Sequence, residues 1–224
     1  MATFKIDLHM HTCVSKDGIT HPADVVRIAK SRGLDRICIT DHNQIDGALA
    51  AKKIDPEFVI VGEEILTARG DEILAFFVSE WVPPRLPHHE VLARLKGQGA
   101  VISVSHPFDR HRNRPWTEEL LESLLPRLDA IEAFNARTIH AADNLRAAEF
   151  AARHNLPVTA GSDAHTGREI GAAYLQLPAF ATAAEFKAAL PAATVHGRLS
   201  PAWIHLFSTV NKWRGKFGLK PRLR

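Results

Sequence analysis

His9 and His11 stand two residues apart at the end of a short apolar run, in the order Asp7-Leu8-His9-Met10-His11. In an extended segment, residues i and i+2 project to the same side, so both imidazoles can grip one cation. On a helix they would diverge. Asp163 and His165 repeat this spacing on the glycine turn Gly161-Ser162-Asp163-Ala164-His165. Asp41-His42, Glu63-Glu64 and the turn Ser105-His106-Pro107 add further imidazoles and carboxylates. Imidazole and carboxylate oxygen are ligands common to zinc, manganese and iron, so the mixture points to a divalent-metal centre and leaves the ion open. Thirteen histidines, dispersed rather than clustered in one run, fit such chemistry, because imidazole both binds metals and titrates near neutral pH.

Residues so far apart in the chain need a fold that gathers them. Short apolar runs are expected as strands at Phe4-Leu8, Arg36-Thr40, Phe58-Val61, Ile73-Val78, Ala100-Ser105, Ala130-Phe134, Pro157-Ala160 and Ala172-Leu177. Between them lie helical patterns: one opened by Pro22 and stopped at Gly33, one from about His88 to Lys96, one around Glu118-Leu125, and one from about Ile139 to His154. Strands alternating with helices predict a largely parallel sheet or closed barrel. In a parallel barrel every polar group named above falls at a C-terminal strand end, and these ends share one rim.

The remaining composition is that of an ordinary globular protein, with 46% hydrophobic and 24% charged residues, which excludes disordered and fibrous classes. Cys13 and Cys38 are too few for a disulfide framework, so a reducing, cytoplasmic location is expected. No run approaches the ~18 apolar residues of a membrane span, and no secretory signal is read at the start. From Leu206 onward there are six basic residues and no acid, leaving 22 basic against 25 acidic elsewhere. Leu206, Val210, Trp213 and Phe217 recur at steps that draw one apolar stripe on a helix. This tail is expected to dock on the barrel or to meet an anionic surface.

The segments DLHMHT, ITDH, GEEI, SHPF and GSDAH, in that order, resemble the successive motifs of the PHP (polymerase and histidinol phosphatase) superfamily. The resemblance spans Ile6 to Val195 and is nearest to the small stand-alone bacterial members. It implies an α/β fold, a distorted (βα)7 TIM-like barrel over residues 1–200; the charge and apolar stripe of residues 201–224 mark that stretch as a basic amphipathic C-terminal helix or tail. It also implies two or three divalent ions (zinc, manganese or iron) and hydrolysis of phosphate esters. On this likeness His9, His11, Glu64 and Asp163 hold the first ion, and Glu64 with His106 the second. Asp17, His42 and His165 hold the third. Glu64 rather than Glu63 matches the family's G-x-E strand end. Many members carry another histidine shortly after that strand. Here Ile73, Leu74 and Ala75 stand in the stretch where it would fall, which leaves the second ion only Glu64 and His106 as evident ligands.

The expected reaction is attack on phosphorus by a metal-activated hydroxide, since ions neutralise phosphoryl oxygens and lower the pKa of bound water. Asp163 or His165 is expected to manage its proton, and Asp41 to orient a ligand imidazole. Arg110, Arg137 and Arg168 are candidates for the phosphate, because guanidinium binds it in bidentate fashion. Glu132 and Asn135 are candidates for outer-shell or substrate hydrogen bonds. The expected substrate is a small phosphorylated metabolite, such as a nucleotide or sugar phosphate. A nuclease acting on DNA or RNA ends, and a non-catalytic metal-binding regulatory module, are the alternatives. His21, His88, His89, His140, His154, His196 and His205 are expected to cap, pack or face solvent. Oligomeric state is left open.

Overall fold

The computed structural model of the chain describes residues 2–112, 114–201, 203 and 204. The helix expected over 201–224 thus lies almost wholly outside the described residues, as does His205. Among the described residues there are nine strands: β1 (Thr3–Asp7), β2 (Arg36–Ile39), β3 (Val59–Leu66), β4 (Glu72–Phe76), β5 (Val101–Val104), β6 (Ile131–Asn135), β7 (Val158–Gly161), β8 (Ala173–Pro178) and β9 (Thr194–Gly197). Six α-helices are described: α1 (Pro22–Ser31), α2 (Asp46–Ile54), α3 (His88–Gly97), α4 (Glu118–Leu124), α5 (Ala141–Arg153) and α6 (Ala183–Ala189).

Local chemistry sets the helix ends. Pro22 opens α1, and the His21 ring nitrogen accepts the Ala23 N–H, satisfying a first-turn donor. Val25, Val26 and Ala29 give α1 its buried stripe, and Gly33 just beyond it takes φ 72°. Thr117 and Thr182 cap α4 and α6 by accepting the N–H groups of Leu120 and Glu185.

The strands form a curled α/β sheet of the distorted TIM-barrel type. One sheet has the order β5-β4-β3-β2-β1-β8-β9, and β6-β7 form a second. Backbone bonds join the two. Asp129 and Ala130 donate to Ile102 O of β5, and Leu8 donates to Ala160 O of β7. β1 thus pairs with β8 over Thr3–Ile6 and turns to β7 beyond it.

The expectation of a largely parallel sheet needs correction. β1-β2, β2-β3 and β6-β7 are parallel, whereas β3-β4, β4-β5, β1-β8 and β8-β9 are antiparallel. For β4 the reason is the five residues that join it to β3. Thr67 N–H donates to Asp71 O and Gly70 takes φ 99°, which closes a hairpin too short for a helical crossover. β4 therefore starts, rather than ends, at the rim.

β3 also runs further than its apolar stretch suggests. It continues through Leu66, so Glu63 and Glu64 lie within the strand and point to opposite faces. Ile60, on the same inner face as Glu64, joins Leu74 and Phe76 of β4 in one apolar cluster that also holds Ile6, Leu8, Cys38 and Phe186. Val59, Val61 and Ile65 face the helices in a second cluster. No helix among the described residues is long and apolar enough to cross a membrane.

Candidate metal centre

The polar end of the inner face holds the predicted residues together. Glu64 is 1% exposed, and its Oε2 lies 3.4 Å from His9 Nε2, 3.5 Å from His11 Nε2 and 2.9 Å from His42 Nδ1. Its Oε1 accepts from Ser105 Oγ at 2.6 Å and faces His106 Nε2 at 3.1 Å. Asp163 Oδ1 lies 3.1 Å from His11 Nε2 and 3.6 Å from His9 Nε2. Asp17 Oδ1 lies 3.6 Å from His42 Nε2 and 3.4 Å from His165 Nε2.

Loop geometry delivers these side chains. His106 and Asp163 have φ of 26° and 51°, in the left-handed region that non-glycine residues seldom enter. Asp163 N–H donates to His9 O at 2.7 Å, and His11 N–H to Ala164 O at 2.8 Å, which stitches the two H/D-x-H segments side by side. Gly161 is required where they meet, because a Cβ there would come within 2.2 Å of His9 Cβ.

The residues fit divalent ions. His9 Nδ1 faces Glu132 Oε1 at 2.9 Å, which makes it the protonated nitrogen and leaves the Nε2 lone pair inward. That lone pair meets His11 Nε2 at 3.2 Å. Glu64 Oε2, fully enclosed, accepts no hydrogen bond despite its three imidazole neighbours. Lone pairs packed this closely repel unless a cation stands among them. The spacings match the edges of a coordination shell, about 3.0–3.4 Å for bonds of ~2.1 Å.

The charges of the side chains reinforce one another. Burial alone would depress the His9 imidazole, but Glu132, Glu64 and Asp163 outweigh it and raise its pKa well above the usual value, favouring a proton on Nε2 in the position a bound cation would take. Glu64 and Asp17 do the same for His42, raised to about 9 against burial. His11 goes the other way, to about 4, from burial and from its neighbours His165 and His42. Glu64 and Asp163 are held well below the carboxylate range: burial opposes this, and nearby imidazoles, with Arg112 at Asp163, prevail.

A ring of partners surrounds this cluster. Glu132 Oε2 accepts the His106 N–H at 2.7 Å and Asn135 Nδ2 at 3.1 Å, so one carboxylate fixes two imidazole residues. Asn135 Nδ2 also lies 3.3 Å from Asp163 Oδ2. Asp41 accepts from Thr12 N–H, Thr12 Oγ1 and Ser15 Oγ, each at 2.7 Å. Ser15 Oγ in turn lies 3.2 Å from His11 Nδ1, so the Asp41 carboxylate reaches that imidazole through Ser15. Glu132→Gln is expected to weaken ion binding about 10–100-fold, the usual cost of losing a ligand's outer partner. A competition titration against a chromogenic chelator measures this, and unchanged affinity would remove Glu132 from that role.

The arginines are arranged differently from expectation. Arg110 is spent on Asp143, at 2.6 Å, and its side chain is 60% exposed. Arg168 is exposed, and among the described residues its engaged group is the backbone carbonyl, which accepts from Arg32. Arg137 is buried and ion-paired with Glu169, which accepts the N–H groups of His165 and Thr166. Arg112 is the guanidinium that reaches the cluster, 2.6 Å from Asp163 Oδ2. The other residue missed in the sequence is Glu72, whose carboxylate lies 3.5 Å from His106 Nε2 and 3.6 Å from His42 Nδ1. It stands where the second ion seemed to lack a ligand. The signal for it is the Gly70 turn, which brings the start of β4 back to the rim. Among the other histidines, His88 pairs with Asp71, and His196 stacks on Tyr174.

Comparison with known proteins agrees with this geometry. A family model described as PHP domain matches residues 7–132, and one described as PHP-associated matches residues 141–195. An uncharacterized protein of Methanocaldococcus jannaschii, MJ0417, is 35% identical over 176 residues, covering 77% of this chain and 70% of that protein. Two solved structures share the fold. PsfC from Pseudomonas syringae has a TM-score of 0.70 at 19% identity, covering 95% of this chain and 99% of PsfC. A two-domain Bacteroides vulgatus protein, described as containing a predicted PHP-like metal-dependent phosphoesterase, has a TM-score of 0.71 at 21% identity. It covers 88% of this chain and 65% of its own. With more than half of its length matched by the family model, the chain belongs to the PHP family and is a metal-dependent phosphoester hydrolase.

Proposed function

We propose that the chain removes the phosphate from a small phosphorylated metabolite, such as a nucleotide or sugar phosphate, at a centre of two or three divalent ions. On this reading His9, His11, Glu64 and Asp163 hold the first ion. Glu64, His106 and Glu72 hold the second, and Asp17, His42 and His165 the third. The observation that carries the reading is Glu64 Oε2, an enclosed carboxylate oxygen ringed by imidazole nitrogens and accepting no hydrogen bond. Bound ions would supply charge to neutralise phosphoryl oxygens and to lower the pKa of a water molecule.

The chain's own residues do the rest. Arg112 offers planar donors to the phosphoryl oxygens, and Asp163, despite the opposing effect of burial, keeps that guanidinium firmly charged. Asp163 turns Oδ1 to the imidazoles and Oδ2 to Arg112 and Asn135, so Oδ2 is the oxygen placed to accept a hydrogen bond from the attacking water. Its depressed pKa makes it a positioning acceptor rather than a strong base. His165 Nδ1 lies 2.8 Å from Asp163 O and Nε2 faces Asp17, which suits a ligand better than a proton carrier. The ligands are sunk, with His9, Glu64 and Asp163 at most 1% exposed. A terminal phosphoryl group reaches such a floor more readily than a phosphate within a duplex.

The test is a panel of phosphorylated metabolites and labelled oligonucleotides offered to manganese- or zinc-loaded protein. Turnover of phosphomonoesters is expected. Cleavage of oligonucleotides alone would favour the nuclease, whose support is the basic stretch after residue 206. Ion binding with no turnover of any phosphoester would favour the regulatory module. Arg112→Ala is expected to raise KM about tenfold or more, since hydrogen bonds to charged groups contribute ~1.5–3 kcal/mol, with ion stoichiometry unchanged. An unaltered KM would separate Arg112 from the phosphate.

A further inference from the structure

Arg36 opens β2 at the end opposite the metal centre, and about 15–20 Å of extended chain separates it from His42. Its side chain is 12% exposed and lies between two aromatic rings, 5.1 Å from the Phe4 centroid and 5.0 Å from that of Phe180. Such stacking fixes a guanidinium while leaving its N–H edge free. Among the described residues that edge makes no hydrogen bond. Its one ionic neighbour is Glu57, 3.7 Å away on a side chain 91% exposed, which solvent screens and can draw off. Five donors, mostly withdrawn from water and lacking an acceptor, are costly unless an acceptor arrives.

The space beside Arg36 can receive one. A cavity of about 280 Å³ opens there, also lined by Lys52, Ile60, Phe77, Val78 and Ala181. The Lys52 ammonium donates to Pro56 O and Val59 O, both at 3.0 Å, and keeps a third N–H. Phe77 holds φ 61°, a conformation that strains a bulky residue and that gathers at ligand clamps. Its ring packs on Phe180 and Phe186, so the strained residue ties the cavity wall to the aromatic group that orients Arg36.

We infer that this cavity is a second ligand site, remote from the metal centre, for a small organic oxyanion whose charged head meets Arg36 and Lys52 and whose apolar body lies along Ile60, Phe77 and Val78. The volume suits a head group and one ring rather than a larger molecule. Phosphonate and carboxylate heads satisfy the same two cations.

Phenylphosphonate, benzoate and neutral benzyl alcohol distinguish the outcomes when titrated into metal-loaded protein. Binding is followed by the arginine Nε–H resonances and by calorimetry, with the Arg36 signal assigned by its loss in Arg36→Gln. The Arg36 signal is expected to shift to saturation with one or both anions and not with benzyl alcohol. Arg36→Gln and, independently, Lys52→Met are expected to weaken that binding at least tenfold. An Arg36 signal that neither anion moves, or an affinity that folded Arg36→Gln or Lys52→Met leaves intact, would overturn the inference. Phenylphosphonate binding that only Arg112→Ala disrupts would overturn it too, by placing the anion at the metal centre.

Discussion

Glu64→Gln is expected to lower kcat/KM for a phosphomonoester by three orders of magnitude or more, about 4 kcal/mol in transition-state stabilisation. It is also expected to reduce the number of ions bound. The carboxylate lies within 3.5 Å of His9, His11, His42 and His106 together, so it joins the proposed first and second ions. Glutamine keeps the shape and removes the charge that those imidazoles and ions answer to. Its neighbour supplies the contrast. Glu63 points the other way, accepts the Val82 N–H at 3.0 Å, and burial raises its pKa to about 8. A carboxyl protonated at neutral pH is mimicked by an amide, so Glu63→Gln is expected to leave turnover within about twofold. Steady-state kinetics and metal analysis of both variants check this, and equal losses would contradict the assignment of the bridging role to Glu64.

The same pair gives a pH prediction. The Glu63 carboxyl titrates near 8 when folded against an ordinary value of 4.5. Its contribution to stability is therefore present below 4.5 and is lost as pH rises through 8. Glu63→Gln should flatten that decline in Tm. Parallel Tm curves for wild type and variant across this range would show that Glu63 is not held protonated.

Gly161→Ala carries the second large effect. The new Cβ would lie 2.2 Å from His9 Cβ and 2.7 Å from His9 N, atoms of a buried strand end that cannot step aside. Overpacking against backbone is expected to cost ~3 kcal/mol or more, which for a chain of this size lowers Tm by about 6–12 °C. The measurement belongs on chelator-treated protein, so that loss of ions is not mistaken for loss of packing. A Tm within about 2 °C of wild type would mean that β1 and β7 do not close on each other as described.

Much of the site is legible in the sequence because metal ligands are constrained twice, by chemistry and by position. His9-x-His11 and Asp163-x-His165 combine ligand types with the two-residue spacing that an extended chain needs, and both sit where an apolar run stops. Glu72 carries no such mark. It precedes its strand, and only the reversal at Gly70 turns that start into a rim position. Direction of a strand is a tertiary property that apolar runs do not encode, which is also why β4 and β8 read as parallel. Arg112 is hidden for another reason. Three arginines alternate through Arg110-His111-Arg112-Asn113-Arg114, and which one faces the cluster depends on Asp143 drawing Arg110 aside. Helices α2 and α6 and strand β9 lie in stretches where no element is read from the sequence. Of these, α2 is short and alanine-rich, and two exposed apolar residues, Leu49 and Ile54, blur its apolar stripe.

The central claim, that distant imidazoles and carboxylates share cations at one rim, is tested most directly by anomalous diffraction from manganese-soaked crystals at the manganese edge. Peaks are expected within about 2.5 Å of ligand atoms on His9, His11, Glu64 and Asp163, with further peaks near His106 and Glu72 or near Asp17, His42 and His165. Manganese bound elsewhere, with none within reach of Glu64, would contradict it.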